Sequence, residues 1–334
     1  MWICFGVACP SYGGFGNAAE DRSRPSTHTL QPWRLLQCRL LARVKPISYT
    51  GAFHSSDAML TSIWWTGAYG VRLNMHERGF GSVLVQRGPP GSTDRVAFQG
   101  DGHTTIVAAM CAFSSPNVFE LVRLSLHATN SGCPGCAKAM QLRDRSLPFG
   151  AYPLHWVGSV CAYYWASGDE STMLELIPSI MHILREQHRS VRHFSPRAGE
   201  HRQLNTSTKA RIGFIGWDDR LGNGGFNAEG VRVWKALLLG RTREVLHCLT
   251  RASLAPPAKS AVLGELTAMA RRLLEVLRTP DTAPPSTPKS ERPAWHASFG
   301  MHAIAHAAEA GAVQAAEVET IVRSRFGNAA ELCR

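Results

Sequence analysis

Residues 104–127, "TTIVAAMCAFSSPNVFELVRLSLH", read as a helix, a break and a second helix. Thr104–Phe113 and Pro116–His127 make up the pair. Ser115 is placed to cap the second helix, and Pro116 takes its first helical position, where a missing N–H costs nothing. A link this short makes the pair an α-hairpin, and the rest of the chain repeats the pattern.

Upstream, "SYTGAFHSSDAML" (residues 48–60) reads as the end of a strand and a turn, with Ser55, Ser56 or Asp57 as the cap of a helix. Met59, Leu60, Ile63, Trp64, Ala68, Val71 and Met75 then mark one apolar face at helical spacing. Downstream, Pro153–Ala166 is aromatic-rich and stops at Ser-Gly-Asp. Ser171–Gln187 follows, bent or restarted at Pro178. Residues 189–211 form a polar, basic connection. Asn227–Leu239 ends at Gly240, and Arg241–Ser253 comes next.

In Ala258–Arg278, residues Val262, Leu263, Leu266, Met269, Ala270, Leu273, Leu274 and Leu277 form a stripe opposite Arg271 and Arg272. Residues 279–293, "TPDTAPPSTPKSERP", are a proline-rich linker. Trp295–Ala310 closes on Gly311, and Val313–Phe326 follows. The expectation is an all-α domain of about ten helices over residues 46–334, preceded by an irregular segment or strand remnant at 1–45. Paired helices with short links fit a toroid or a superhelical repeat. No fixed repeat of residue identities is visible, which disfavours a tetratricopeptide-type solenoid. Long polar loops after alternate helices favour a toroid with its site on one rim.

Composition narrows the function. The 334 residues could bury one large core or two modest ones. Lys and Arg outnumber Asp and Glu by 36 to 25, a net charge of +11. The arginines are scattered, however, and no nucleic-acid-binding signature accompanies them, so no nucleic-acid partner is expected. No apolar run is long enough to span a membrane, and the apolar start has no basic residue ahead of it. Of nine cysteines, only Cys133-Pro-Gly-Cys136 forms a tight pair, without the second pair that a zinc site needs. His302-Ala-Ile-Ala-His306 sets two histidines one turn apart, but a zincin requires Glu where Ala303 stands. No cofactor and no metal are expected.

The chemistry-bearing stretch lies just upstream of the hairpin: Asp94–His103, "DRVAFQGDGH". One account makes Asp101 the cap of the helix near Thr104, with Asp94 and Arg95 a surface pair. The other makes it a sugar site. Glycines on both sides of Asp101 let backbone approach closely, and Phe98 offers an apolar plane beside two carboxylates. Further clusters are Leu154-His-Trp156, at the head of one helix, and "GFIGWDDR" (213–220), with Trp217, Asp218 and Asp219 before another.

In this order, "GAFHSSDAMLTSIWWTGAYGVRLNM", "DRVAFQGDGH", "AYPLHWVGSVCAYYWASGDESTML", "GFIGWDDR" and "MHAIAHAAEAGAV" resemble the catalytic domain of α-L-rhamnosidases, inverting glycoside hydrolases with an (α/α)6 six-hairpin barrel. The resemblance covers roughly residues 46–334. It implies a rhamnoside substrate and makes Asp94 the proton donor, a position normally Glu. Phe98 becomes the sugar-stacking aromatic, normally Trp. Arg95 and Asp101 become substrate-binding, Asp101 by gripping sugar hydroxyls. Trp156 and Trp217 become walls of the sugar pocket, and His302 a polar histidine of a late helix.

Inversion needs a second carboxylate about 6.5–9.5 Å from the acid to activate water. Asp101 would raise the acid's pKa, and Arg95 would oppose this if it pointed inward. Departures from the family pattern matter here. Leu84–Thr93 carries no acid where the family places an Asp, and Asp94 is one methylene shorter than Glu. The family's general base sits on a later loop than any this chain matches, and its β-sandwich domains have no counterpart in residues 1–45. Asp218, Asp219 and Glu229 are nearby carboxylates that nothing in the sequence sets opposite Asp94. The expectation is therefore a truncated or degenerate member that hydrolyses rhamnosides poorly. The alternative is a non-catalytic helical carbohydrate-binding or scaffold protein derived from the same fold. Other (α/α)6 enzymes, such as glucuronyl hydrolases, fit the "DRVAFQGD" order less well.

Overall fold

Helix boundaries follow local chemistry. The computed structural model describes residues 2–4, 39–41, 46–73, 75–76, 79–80, 99–130, 151–191, 215, 228–253, 255–279 and 294–327. Their helices are α1 (Ala58–Leu73), α2 (Gln99–Phe113), α3 (Pro116–Asn130), α4 (Tyr152–Ser167), α5 (Glu170–Val191), α6 (Ala228–Arg251), α7 (Pro256–Leu277), α8 (Met301–Glu309) and α9 (Ala315–Phe326). Strands are few: β1 (Trp2–Cys4) pairs antiparallel with β2 (Arg39–Leu41), and β3 (Met75–His76) with β4 (Gly79–Phe80).

Asp57 caps α1, its Oδ1 accepting the Met59 N–H at 2.8 Å. At α3 the backbone carbonyl of Ser115 accepts the Val118 and Phe119 N–H groups, each at 3.0 Å. Gly168 ends α4 at φ +70°, where a side chain would be strained. Asp169 then starts α5: Oδ1 accepts the Thr172 N–H at 3.0 Å, and Oδ2 accepts the hydroxyls of Thr172 and Tyr163 at 2.6 and 2.8 Å. Gly311, at φ +68°, closes α8 in a Schellman motif, with Ala312 N–H on Ala307 O and Gly311 N–H on Ala308 O.

Contacts between helices establish the layers. Gly100 at the start of α2 lies under the Tyr152 ring at the start of α4. Farther along, Gly158 of α4 abuts Arg241 of α6, and the Trp165 ring sits 4.8 Å from His247. Glu229 at the start of α6 meets Gly300 and Ala303, and Arg243 donates to Ala310 at the end of α8. Helices α2, α4, α6 and α8 therefore run parallel, side by side. The helices that follow them lie outside and return. Trp156 of α4 donates to Leu126 near the end of α3 at 3.3 Å, and Phe119 near the start of α3 meets Tyr163 near the end of α4. Gln187 near the end of α5 accepts the Trp234 indole N–H at 2.8 Å, while Glu170 at its start accepts from Ser253. Arg185 of α5 grips Glu265 of α7 with two bonds of 2.7 Å. Four hairpins with parallel inner and antiparallel outer helices are the architecture of an α/α toroid. Their apolar faces close one core, in which Trp156, Trp234 and Phe113 have no appreciable exposure.

The structure departs from local expectation in four places. Pro178 neither ends nor restarts a helix: α5 runs through it, because Met173, Leu176, Ile180, Met181 and Leu184 are buried on both sides. Gly240 is not a stop either. It lies inside α6 opposite Ala310, where even a Cβ would make only ordinary contact at 3.5 Å. The segment 295–300 forms turns, and α8 begins only at Met301. The apolar stripe of α1 is divided: Ala68 and Met75 are buried, whereas Met59 and Ile63 are 67% and 60% exposed.

Removing the Asp169 carboxylate leaves the Thr172 N–H and the partly buried Tyr163 hydroxyl without their acceptor. Asp169→Ala is expected to cost about 0.5–2 kcal/mol, measured as the shift of the urea unfolding midpoint against an exposed control substitution such as Glu319→Ala.

Candidate functional site

The inner helices do not start level. Gly158 lies six residues into α4 and Arg241 thirteen residues into α6; Trp165 meets His247 and Arg251 farther along. On the rim of helix N-termini, α6 thus rises roughly two turns or more, on the order of 10 Å, above α4. Helix α8 rises with α6 because the Glu229 carboxylate accepts the N–H groups of Gly300 at 2.7 Å and Ala303 at 2.9 Å. A carboxylate at this helix N-terminus satisfies orphan donors and complements the dipole. Glu229 is thereby committed to backbone and is not a free base. The rim has a low side, α2 and α4, and a high side, α6 and α8.

Below it lies a polar cluster shared by all four inner helices. Arg241, 8% exposed, donates to Glu244 at 2.5 Å and lies 3.6 Å from Glu309 of α8, which His306 also contacts at 3.2 Å. The same guanidinium points a second nitrogen at His103 Nε2 of α2, 3.4 Å away. On the other edge of that ring, Nδ1 is 3.1 Å from Ser159 Oγ of α4. The Ser159 hydroxyl donates to the His155 carbonyl at 3.0 Å, so it accepts from His103. This places the His103 proton on Nδ1 and leaves Nε2 bare toward Arg241. Gly158 makes room for the guanidinium, since a Cβ there would stand 2.7 Å from Arg241 Cζ.

Charge states follow from this packing. Burial, then the Arg241 charge, lower the His103 pKa to about 4 against an opposing pull from Glu309. His155, whose ring centroid is 5.6 Å from that of His103, falls to about 3, first through burial and then through His103, Arg241 and His306. Burial raises Glu244, partly offset by Arg241. Glu309 is lowered, chiefly by its hydrogen bond with His306. Both His103 and His155 are neutral near pH 7, and the cluster sets Arg241 among the carboxylates of Glu244 and Glu309 as a floor. Among the described residues no group of three or more His, Cys, Asp or Glu is arranged to hold a metal ion.

The residues singled out from sequence are distributed as follows. Asp94, Arg95, Phe98 and Trp217 lie outside the described residues, as do Asp218 and Asp219. The backbone of Asp101 is in the first turn of α2, which begins at Gln99, so Asp101 is not the cap of a helix starting near Thr104. Its neighbour Gly100 answers to packing: a Cβ there would sit 2.6 Å from the Tyr152 ring. Trp156 is a correction. It is fully buried, with its N–H on the Leu126 carbonyl, and as a core residue it presents no face to a pocket. In the same Leu154-His-Trp156 cluster it is His155, about 100° around the helix, that joins the floor. His302 is half-buried in the first turn of α8, on the high side of the rim. Sequence reasoning missed His103, Ser159, Arg241, Glu244 and Glu309. His103 closes the quoted motif and was within reach, but Arg241 was hidden behind Gly240.

No protein-family model and no curated protein matches the chain. Among solved structures, a rhamnosidase from Klebsiella oxytoca with rhamnose bound is similar, with a TM-score of 0.54 and 16% sequence identity. The alignment covers 84% of this chain and 49% of that one, so the chain spans about half the length of the structure it matches. The likeness is one of fold and supports an α/α toroid.

Two outcomes test the floor. His103 and His155 are neutral when folded but titrate near 6.5 when unfolded, so their contribution is complete above about pH 6.5 and is lost as pH falls toward 4 and then 3. Denaturant midpoints should fall over that window, by at most about 1.4 kcal/mol per pH unit per histidine, and His155→Phe should flatten the slope. Arg241→Met should cost toward the lower end of about 3–5 kcal/mol, because Glu244 keeps 27% of its side-chain surface in water. Thermal unfolding of the two proteins side by side measures it.

Proposed function

We propose that this chain is a carbohydrate-recognising α/α toroid of the glycoside hydrolase type, which takes a terminal α-L-rhamnoside on its rim and hydrolyses it slowly with inversion. The observation that carries this is the place of the motif: Asp94–Phe98 runs directly into the N-terminus of α2, an inner helix on the low side of a stepped rim. In this reading the sugar ring lies between the start of α2 and the higher starts of α6 and α8. In this proposal Asp94 protonates the leaving oxygen, Phe98 stacks on the ring, and Arg95 and Asp101 hold hydroxyls. Trp217 and His302 line the pocket. The rhamnose bound to the rhamnosidase of similar fold supports the ligand class.

Slow turnover follows from chemistry. Asp94 is one methylene shorter than the Glu usual at the proton donor, and Leu84–Thr93 carries no acid where the resemblance places an Asp. A non-catalytic carbohydrate-binding protein is the second reading.

The test is calorimetric binding of L-rhamnose together with turnover of 4-nitrophenyl α-L-rhamnoside by the full chain, Asp94→Asn and Asp101→Asn. The expected result is rhamnose binding weakened at least about tenfold by Asp101→Asn, with slow turnover that Asp94→Asn removes. Binding without any turnover selects the second reading. No binding at millimolar rhamnose sinks both.

A further inference from the structure

Two cysteines remain unused by this site. Cys161 of α4 and Cys248 of α6 are each fully buried, and each is a free thiol. They lie on the facing sides of α4 and α6: Cys161 stands one turn on from Gly158 and Cys248 two turns on from Arg241, the pair in contact across that interface. Flanking contacts fix the register: Gly158 against Arg241 on one side, and Trp165 against His247 and Arg251 on the other. The geometry points to Cys161 and Cys248 as a native disulfide site, a covalent staple that joins α4 to α6 when the chain folds in an oxidising environment.

Buried cysteines serve as small apolar residues in many cores, but here two of them meet side to side on helices that must stay in register beside the Arg241 cluster. No other pair among the described cysteines does so, since Cys111 lies exposed on α2. The oxidant is a low-molecular-weight disulfide. One cysteine thiolate attacks it, forming a mixed disulfide and releasing one thiol. The second cysteine thiolate then attacks the mixed disulfide, closing the Cys161–Cys248 bond and releasing the second thiol. Two cysteine thiols are oxidised, one external disulfide is reduced, and the two cysteine protons pass to the released thiols.

Timing follows from burial. In the folded, reduced chain the hydrogen bond with Cys248 and burial hold the Cys161 thiol well above its ordinary pKa, so it stays protonated and unreactive. The bond must therefore close during folding, while α4 and α6 are still reachable. Once closed it ties a long loop and should raise the melting temperature, on the order of 5 °C.

The experiment refolds the full chain in a mixture of reduced and oxidised glutathione and, in parallel, under a phosphine reductant. Free thiols are then alkylated in denaturant, and peptides are mapped by mass spectrometry without reduction. The expected result is a dominant peptide linking Cys161 to Cys248, with a melting temperature above that of the reduced chain. Cys161→Ala should lose both the linkage and the redox dependence of melting. Because the linkage is read on the wild-type chain, poor folding of that variant leaves the test intact. Alkylation of both cysteines after oxidative refolding, their linkage to other cysteines such as Cys133 or Cys136, or a linked chain that melts below the reduced one would each overturn the proposal.

Discussion

One guanidinium inside the ring constrains the others. Arg241 contacts Glu244 on its own helix, His103 on α2, Glu309 on α8 and the bare backbone of Gly158 on α4. A buried cation is tolerated only with partners that satisfy its donors and balance its charge. Here the partners come from α2, α6 and α8 and the room from α4, so no inner helix can slide without disturbing the charge. The neutral tautomer of His103 belongs to the same constraint. Ser159 accepts the hydrogen bond of its Nδ1–H, which leaves Nε2 to face the cation.

Small residues make that arrangement possible. Gly158 admits the guanidinium, and Gly100 admits the Tyr152 ring. In an isolated helix each glycine would cost about 0.5–1 kcal/mol relative to alanine. In the ring that cost is offset by the contacts that closer axes allow. Pro178 is carried in the same way, inside a helix whose flanking turns are buried against α6.

The stepped rim connects fold to function. Helices α6 and α8 are joined at their N-termini by Glu229, whereas α2 and α4 start lower, beside Tyr152. The same architecture hosts unrelated chemistries, because the activity resides in the loops and not in the hairpins. The likeness in fold to the rhamnose-bound rhamnosidase therefore bears on architecture alone.

Features encoded over a few residues were legible in the chain itself. The hairpin Thr104–His127, the Asp57 cap, the stop at Gly168 and the closure on Gly311 depend on apolar spacing, short polar caps and left-handed glycines, all local in sequence. The motif at Asp94–Asp101 could be seen to lead into a helix, although that helix starts at Gln99, earlier than capping rules suggest. What the chain could not show was set by residues far apart along it. Whether Gly240 ends a helix depends on Ala310, and whether Trp156 or His155 faces the ring depends on Leu126 on one side and His103 on the other. Arg241 and His103 are 138 residues apart, and a charge is assigned to the interior only when distant helices bring it partners. Local propensity determined that helices form, and tertiary burial decided where they end, which faces turn inward and which polar side chains meet.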